Sequence, residues 1–286
     1  MAGPKSLEMG EFLSEWYTKQ TTFADLATEA GQGIVRVEYV VKEYHADPAK
    51  KPNLRGKTTV DGRTRTNTFV IDGLEPPHTP GHLLNMPIFQ GHLADGALIE
   101  AEANGKPDLW LTGIRSLTHS EPGVPGDTLV ATTILLKEEN DTRVVKGNVT
   151  CGERVHTRVF DMKLASGPSL PSDEIYLPQH ALFEIGAQAV GGTAKLLRED
   201  LFEGDQKRDP VYASIGQSTL EPVILRPDDV LNSLVKLQRV SGVGAFYADV
   251  DITRQGERVA FFGNLGIGFL PHDLIEAKIK ELQHSK

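Results

Sequence analysis

Cysteine is nearly absent: the 286-residue chain carries one, Cys151. A single thiol closes no intrachain disulfide and builds no multi-thiolate zinc site, which excludes a disulfide scaffold and a zinc finger. The pattern fits a reducing compartment, and the cytoplasm is the expected location. Cys151 itself lies between a strand-like run and Gly152-Glu153 and reads as a hairpin residue, not a nucleophile. Long apolar runs are missing too. No stretch of about 18 apolar residues occurs, and no basic segment followed by an apolar one opens the chain, so neither a membrane span nor a secretory signal is expected. Basic residues are the minority, 30 Lys and Arg against 39 Asp and Glu, for a formal charge of −9. That balance argues against nucleic acid or an anionic membrane as the main partner, although a local basic patch stays open. Nucleotide motifs are lacking as well: there is no Gly-x-Gly-x-x-Gly after a strand, no Walker loop and no Gly-x-Ser-x-Gly elbow. No cofactor is expected. His78 and His82 are four apart, yet Pro76, Pro77 and Pro80 forbid a regular helix there, so no metal is expected either.

The length suits two units of about 100–150 residues, and the chain is written twice in one pattern. Pro125-Gly-Asp-Thr-Leu129 answers Pro227-Asp-Asp-Val-Leu231, and Gly152-Glu-Arg-Val155 answers Gly256-Glu-Arg-Val259, at spacings of 102 and 104. Between these anchors each half reads as a meander of three strands. The turns fall at Glu139-Asn140-Asp141 and Gly152 in the first half, and at Ser241-Gly242 and Gly256 in the second. One apolar helical segment precedes each meander, at 89–104 and 178–200. The second carries Leu182, Ile185, Ala189, Gly192 and Leu196 at helical spacing with small residues between them, which predicts a central helix in contact on several faces. The loop at 166–173 is the best boundary. Residues 1–30 read as an N-terminal extension, helical over 7–30, with 31–165 as the first unit and 174–286 as the second. The second unit is short of strands ahead of its helix, while the first has extra strand-like sequence at 34–44 and 57–71. An antiparallel sheet wrapped around a central helix, twice in one chain, is an α+β fold: the double hotdog.

The stretch "TPGHLLNMPIFQGHLADGALIEAEANG" carries a resemblance. Gly81-His82, four residues, Pro87, three residues and Gly91 have the spacing found in beta-hydroxyacyl-ACP dehydratases and in the double-hotdog dehydratase domains of polyketide synthases. Pro87-Ile88-Phe89, Leu93 and Val124-Pro-Gly-Asp127 match as well. The likeness covers residues 66–165 well and 174–270 more faintly. The first half departs from the pattern where the family's acid should stand, since that position is Gly96. The second half supplies Glu184-Ile-Gly-Ala-Gln188, but the position of its histidine is Leu170. One half therefore offers a histidine and the other a carboxylate, the complement that a single composite site needs. A rival alignment on "LNMPIFQGH" makes His92 the histidine. His82 is preferred because it keeps Pro87 and Gly91 without gaps.

The resemblance implies dehydration of a (3R)-3-hydroxyacyl thioester carried on acyl carrier protein, in fatty-acid or polyketide synthesis. His82, or His92, would be the base, an imidazole being neutral near pH 7. Glu184 would be the acid, its proton held by burial beside an apolar tunnel. Backbone N–H groups near Gly91 would receive the developing enolate charge, and Gln188, one turn after Glu184, would orient the carboxylate or a water. Pro87 and Phe89 would line the substrate site. One chain already imitates the family's dimer, so monomer and homodimer both fit. The rivals are a hotdog thioesterase in which Glu184 activates water, and an acyl-binding subunit without catalysis.

Overall fold

The computed structural model describes residues 23–29, 34–40, 57–61, 63–70, 109–120, 127–169, 179, 181–197, 208–226, 228–241 and 245–284. The strands in chain order are β1 (Phe23–Glu29), β2 (Ile34–Val40), β3 (Lys57–Asp61), β4 (Thr64–Val70) and β5 (Leu109–His119). The first meander follows as β6 (Thr128–Glu139), β7 (Thr142–Cys151) and β8 (Arg154–Ser166). Helix α1 (Ala181–Leu197) leads into β9 (Arg208–Ile215) and β10 (Gln217–Leu220). The second meander is β11 (Val230–Val240), β12 (Ala245–Arg254) and β13 (Glu257–Pro271), and helix α2 (His272–His284) closes the described chain.

Both meanders form where expected, and turn chemistry fixes them. Gln255 and Gly256 both have positive φ, 53° and 85°, the mirror-image hairpin turn whose twist matches that of its strands. Asn140 and Gly152 take positive φ at the two hairpins of the first half, at 51° and 57°. Asp161 in β8 and Asn264 in β13 are also left-handed, at 47° and 51°. Both mark register shifts in equivalent strands, and short side chains that bond locally tolerate that conformation.

All 13 strands join one antiparallel sheet. Its order is β1-β2-β11-β12-β13-β10-β5-β8-β7-β6-β4-β3, with β9 pairing β13 and β5. Read outward from the middle, the first half runs β5-β8-β7-β6-β4-β3 and the second runs β10-β13-β12-β11-β2-β1. The repeat seen in the sequence is thus a repeat of topology. It also answers where the second half finds its missing strands: β2 pairs with β11, from Val230 opposite Val40 to Lys236 opposite Ile34, and β1 lies outside it. Two expectations are corrected here. Phe23–Glu29 is a strand and not part of a helix, because pairing with β2 outweighs the helical preference of its Ala, Leu and Glu residues. Residues 34–40 belong with the second half's sheet and not the first's. Among the described residues, β3 and β4 alone extend the first half, on β6.

The halves meet at a narrow seam. Ser218 and Thr219 of β10 stand opposite Ile114 and Gly113 of β5, and Leu117 and Thr118 face Ile215 and Ser214 of β9. The Ile114 N–H also donates to the Ser218 hydroxyl at 3.2 Å. A Cβ at Gly113 would come within 2.8 Å of the Ser218 carbonyl oxygen, so glycine is what lets these backbones approach.

Helix α1 packs across β11, β12 and β13. A helix laid on an antiparallel sheet is the hotdog arrangement, complete in the second half; the corresponding segment at 89–104 lies outside the described residues. The core is continuous through both halves, from Leu129, Val149 and Leu164 to Phe183, Phe262 and Leu265. Helix α2, not foreseen in the sequence, packs on β13 and buries Ile275 and Leu282 against Val211. Among the described residues no helix is long and apolar enough to cross a membrane.

Candidate functional site

The sequence of α1 explains its position. Leu182, Gly186, Ala189 and Thr193 recur at helical spacing and share one face. That face meets the sheet: a Cβ at Gly186 would lie 2.9 Å from the Phe262 ring and 3.3 Å from Leu265. Phe183 packs against Phe262 in a tilted pair with ring centroids 4.8 Å apart. The helix entrance is pinned as well, since the Gln179 side chain donates to the Glu221 carbonyl at 3.0 Å and the Leu182 N–H to the Gln179 carbonyl.

Gln188 and Gly191 occupy the opposite face, turned away from that sheet. The face is closed to water all the same: Gln188 is buried and so is Gly191. Among the described residues, no atom lies within 4 Å of where a Gly191 Cβ would stand. Glu184 falls between the fully buried Phe183 and Ile185. Its side chain is outside the described residues, as are His82, His92, Gly91, Pro87 and Phe89. The structure therefore brings two expected residues, Glu184 and Gln188, onto one buried helix, one turn apart.

A second group of polar side chains sits at the entry to β6. Asp127, just before the strand, is 1% exposed and accepts a hydrogen bond from Arg154 at 3.1 Å. The same guanidinium reaches the Cys151 sulfur at 3.4 Å. His156 is fully buried, and ligand atoms of Asp127, Cys151 and His156 lie within 4.8 Å of one another. The donor set would suit a transition metal. Arg154, however, already supplies the positive charge to two of the three groups. The second half repeats the device without cysteine or histidine: Asp229, just before β11, is held by Arg254 at 3.1 Å and by the Arg226 N–H at 2.7 Å. The shared element is a carboxylate clamping the start of a meander, a structural role.

A third feature escaped the sequence reading altogether. Arg143 of β7 is 3% exposed and stands opposite Leu164 of β8, so it faces the interior. Its Nε and Nη2 donate to the same oxygen of Glu138, at 3.1 and 2.9 Å. Its Nη1 is buried with no hydrogen-bond partner among the described residues. An unpaired buried donor costs about 1–3 kcal/mol, so this nitrogen weakens the fold unless something meets it. Aligning the two meanders at a spacing of 103 would have found it, since the position matching Arg143 is Phe246.

No family model and no curated protein matches the chain. Solved structures do. A protein named as an oleoyl thioesterase from Lactobacillus plantarum superposes with a TM-score of 0.53 at 7% identity, over 77% of this chain and all (100%) of that one. The 12:0-ACP thioesterase from Umbellularia californica gives 0.49 at 13% identity, over 73% and 95% of the two chains. The dehydratase domain of PpsC from Mycobacterium tuberculosis, in complex with C12:1-CoA, gives 0.48 at 14% identity, over 77% and 99%. Of these three, only the first exceeds 0.5, and at 7% identity it speaks to the fold alone, a hotdog arrangement spanning both halves.

Proposed function

We propose that the chain acts on acyl thioesters and dehydrates a (3R)-3-hydroxyacyl group, delivered on an acyl carrier protein, to the trans-2-enoyl product. The observation that carries this reading is the position of Glu184, between buried Phe183 and Ile185 on the central helix, with buried Gln188 one turn on. A carboxylate residue within so apolar a helix points to function, because a buried carboxyl is costly unless it is paired or used. The reading assigns the base to His82, with His92 as the alternative, from the Gly-His-x4-Pro-x3-Gly spacing of the first half.

In the reaction the imidazole takes the C2 proton, the electron pair forms the C2–C3 double bond, and the C3–O bond breaks. The Glu184 carboxyl protonates the departing hydroxyl, which leaves as water. Backbone N–H groups near Gly91 hold the thioester oxygen while enolate charge builds, and donors fixed in advance do this without reorganisation. Gln188 orients the Glu184 carboxyl. Pro87 and Phe89 line the acyl group, and a chain built as two matched halves places one composite site where a dimer of single units would place two.

The second reading is a thioesterase in which Glu184 activates a water, since hydrolysis needs no base at C2. Mass spectrometry of a 3-hydroxyacyl-carrier substrate separates the two. Wild type, His82→Ala, His92→Ala and Glu184→Gln are compared, each checked for folding. Loss of water by wild type, abolished in Glu184→Gln and in one histidine variant, is the expected result. Release of free acid selects the thioesterase. Binding without turnover at every chain length selects an acyl-binding subunit.

A further inference from the structure

The two halves differ at one inward-facing pair, and the difference is a charge. In the second half Val240 of β11 stands opposite Phe246 of β12, and Phe246 lies edge-on to the Phe269 ring with centroids 5.6 Å apart. In the first half the same register holds Glu138 of β6 opposite Arg143 of β7. The fold thus accepts an apolar pair here, and an ion pair is not needed to build it.

We propose that Arg143 recognises a carboxylate at the far end of an acyl ligand on the inner side of the first half's sheet. The pair is lopsided: the side chains of Arg143 and Glu138 are 3% and 38% exposed. Water screens the glutamate, while Arg143 stands opposite buried Leu164 and two residues before buried Val145 on the same strand face. Glu138 fills the side edge of the guanidinium, made by Nε and Nη2. On the end edge, Nη1 is buried and has no hydrogen-bond partner among the described residues. A planar guanidinium fixed along one edge presents the other in a set direction, matched to the two oxygens of a carboxylate. A methyl-ended chain offers that edge nothing. The acyl part of the ligand rests on the function proposed above; the unpaired Nη1 does not.

The test compares two acyl-CoA thioesters of equal length, one ending in a methyl group and one in a carboxylate. Binding is measured calorimetrically in the Glu184→Gln background, which stops turnover, with and without the double change Glu138→Val and Arg143→Phe. That double variant rebuilds the first half's pair as the second half's, so it removes the donor while keeping a packing the fold already uses. Arg143 intact should bind the carboxylate-ended thioester on the order of tenfold more tightly than the methyl-ended one, as expected of a charged hydrogen bond. The double variant should bind both alike, at the methyl-ended thioester's affinity. An equal preference in both proteins, or none in the protein with Arg143, overturns the inference and leaves the proposed function standing. If neither thioester binds, the proposed function fails. Free dicarboxylic acids titrated against the arginine side-chain resonances of wild type then decide the donor: a shift that vanishes in the double variant upholds it, and no shift ends it.

Discussion

Burial and the neighbouring Asp127 carboxylate push the Cys151 thiol above its ordinary value, against a smaller opposing pull from Arg154. The folded chain therefore favours the neutral thiol. Its contribution to stability is complete below the ordinary thiol value and is lost as pH rises through the raised one. Alkylation by iodoacetamide should accordingly be slower than that of a free cysteine at mildly alkaline pH, with its rate still climbing where free cysteine has levelled off. Asp127→Asn should move the profile back down; a profile already at the free-cysteine position would contradict the assigned causes. At this scale the sequence was partly legible. Cys151 was recognisable as a hairpin residue, because a glycine follows it at the end of a strand-like run. Glu184 stood out as a lone carboxylate among small residues, and its helix formed. Arg143 was not legible, since one charge at the start of a strand gives no sign of which face it takes.

Two glycines of α1 should respond in opposite ways to the same substitution. Gly186→Ala drives a methyl group into the Phe262 ring, which Phe183 also packs against, and should destabilise by about 1–3 kcal/mol. Gly191→Ala meets no described atom and should raise helix stability by up to about 1 kcal/mol. If substrate runs along the face of Gln188, the Gly191 change should also raise KM while leaving the thermal midpoint no lower. Paired unfolding curves and steady-state kinetics check both. The meander strands were readable because alternation with period two and turn residues agree over both halves. Helix α2 was harder to read because, among its described residues, only Ile275 and Leu282 are buried in a segment rich in charge. β1 was misread because its composition favours a helix and only a distant partner makes it extended.

The whole molecule is tied together by pairings that no local pattern announces. Deleting residues 1–41 removes β1 and β2, which precede the first half in sequence, yet the damage should fall on the second. Hydrogen exchange should quicken in β11 and spare β7 and β8; uniform loss of protection across both halves would refute this division. The same crossing has a consequence for synthesis. About 190 positions separate Val40 from its partner Val230, so at ribosomal speeds β2 waits roughly 10–40 s for its neighbour to emerge. During that interval the hairpin of β1 and β2 has a bare edge, able to join any strand that comes near. Biogenesis of this protein is thus a race between completing its own C-terminal strands and pairing with another nascent chain. Slower translation of the second half should tilt that race toward aggregation without altering any contact of the finished fold.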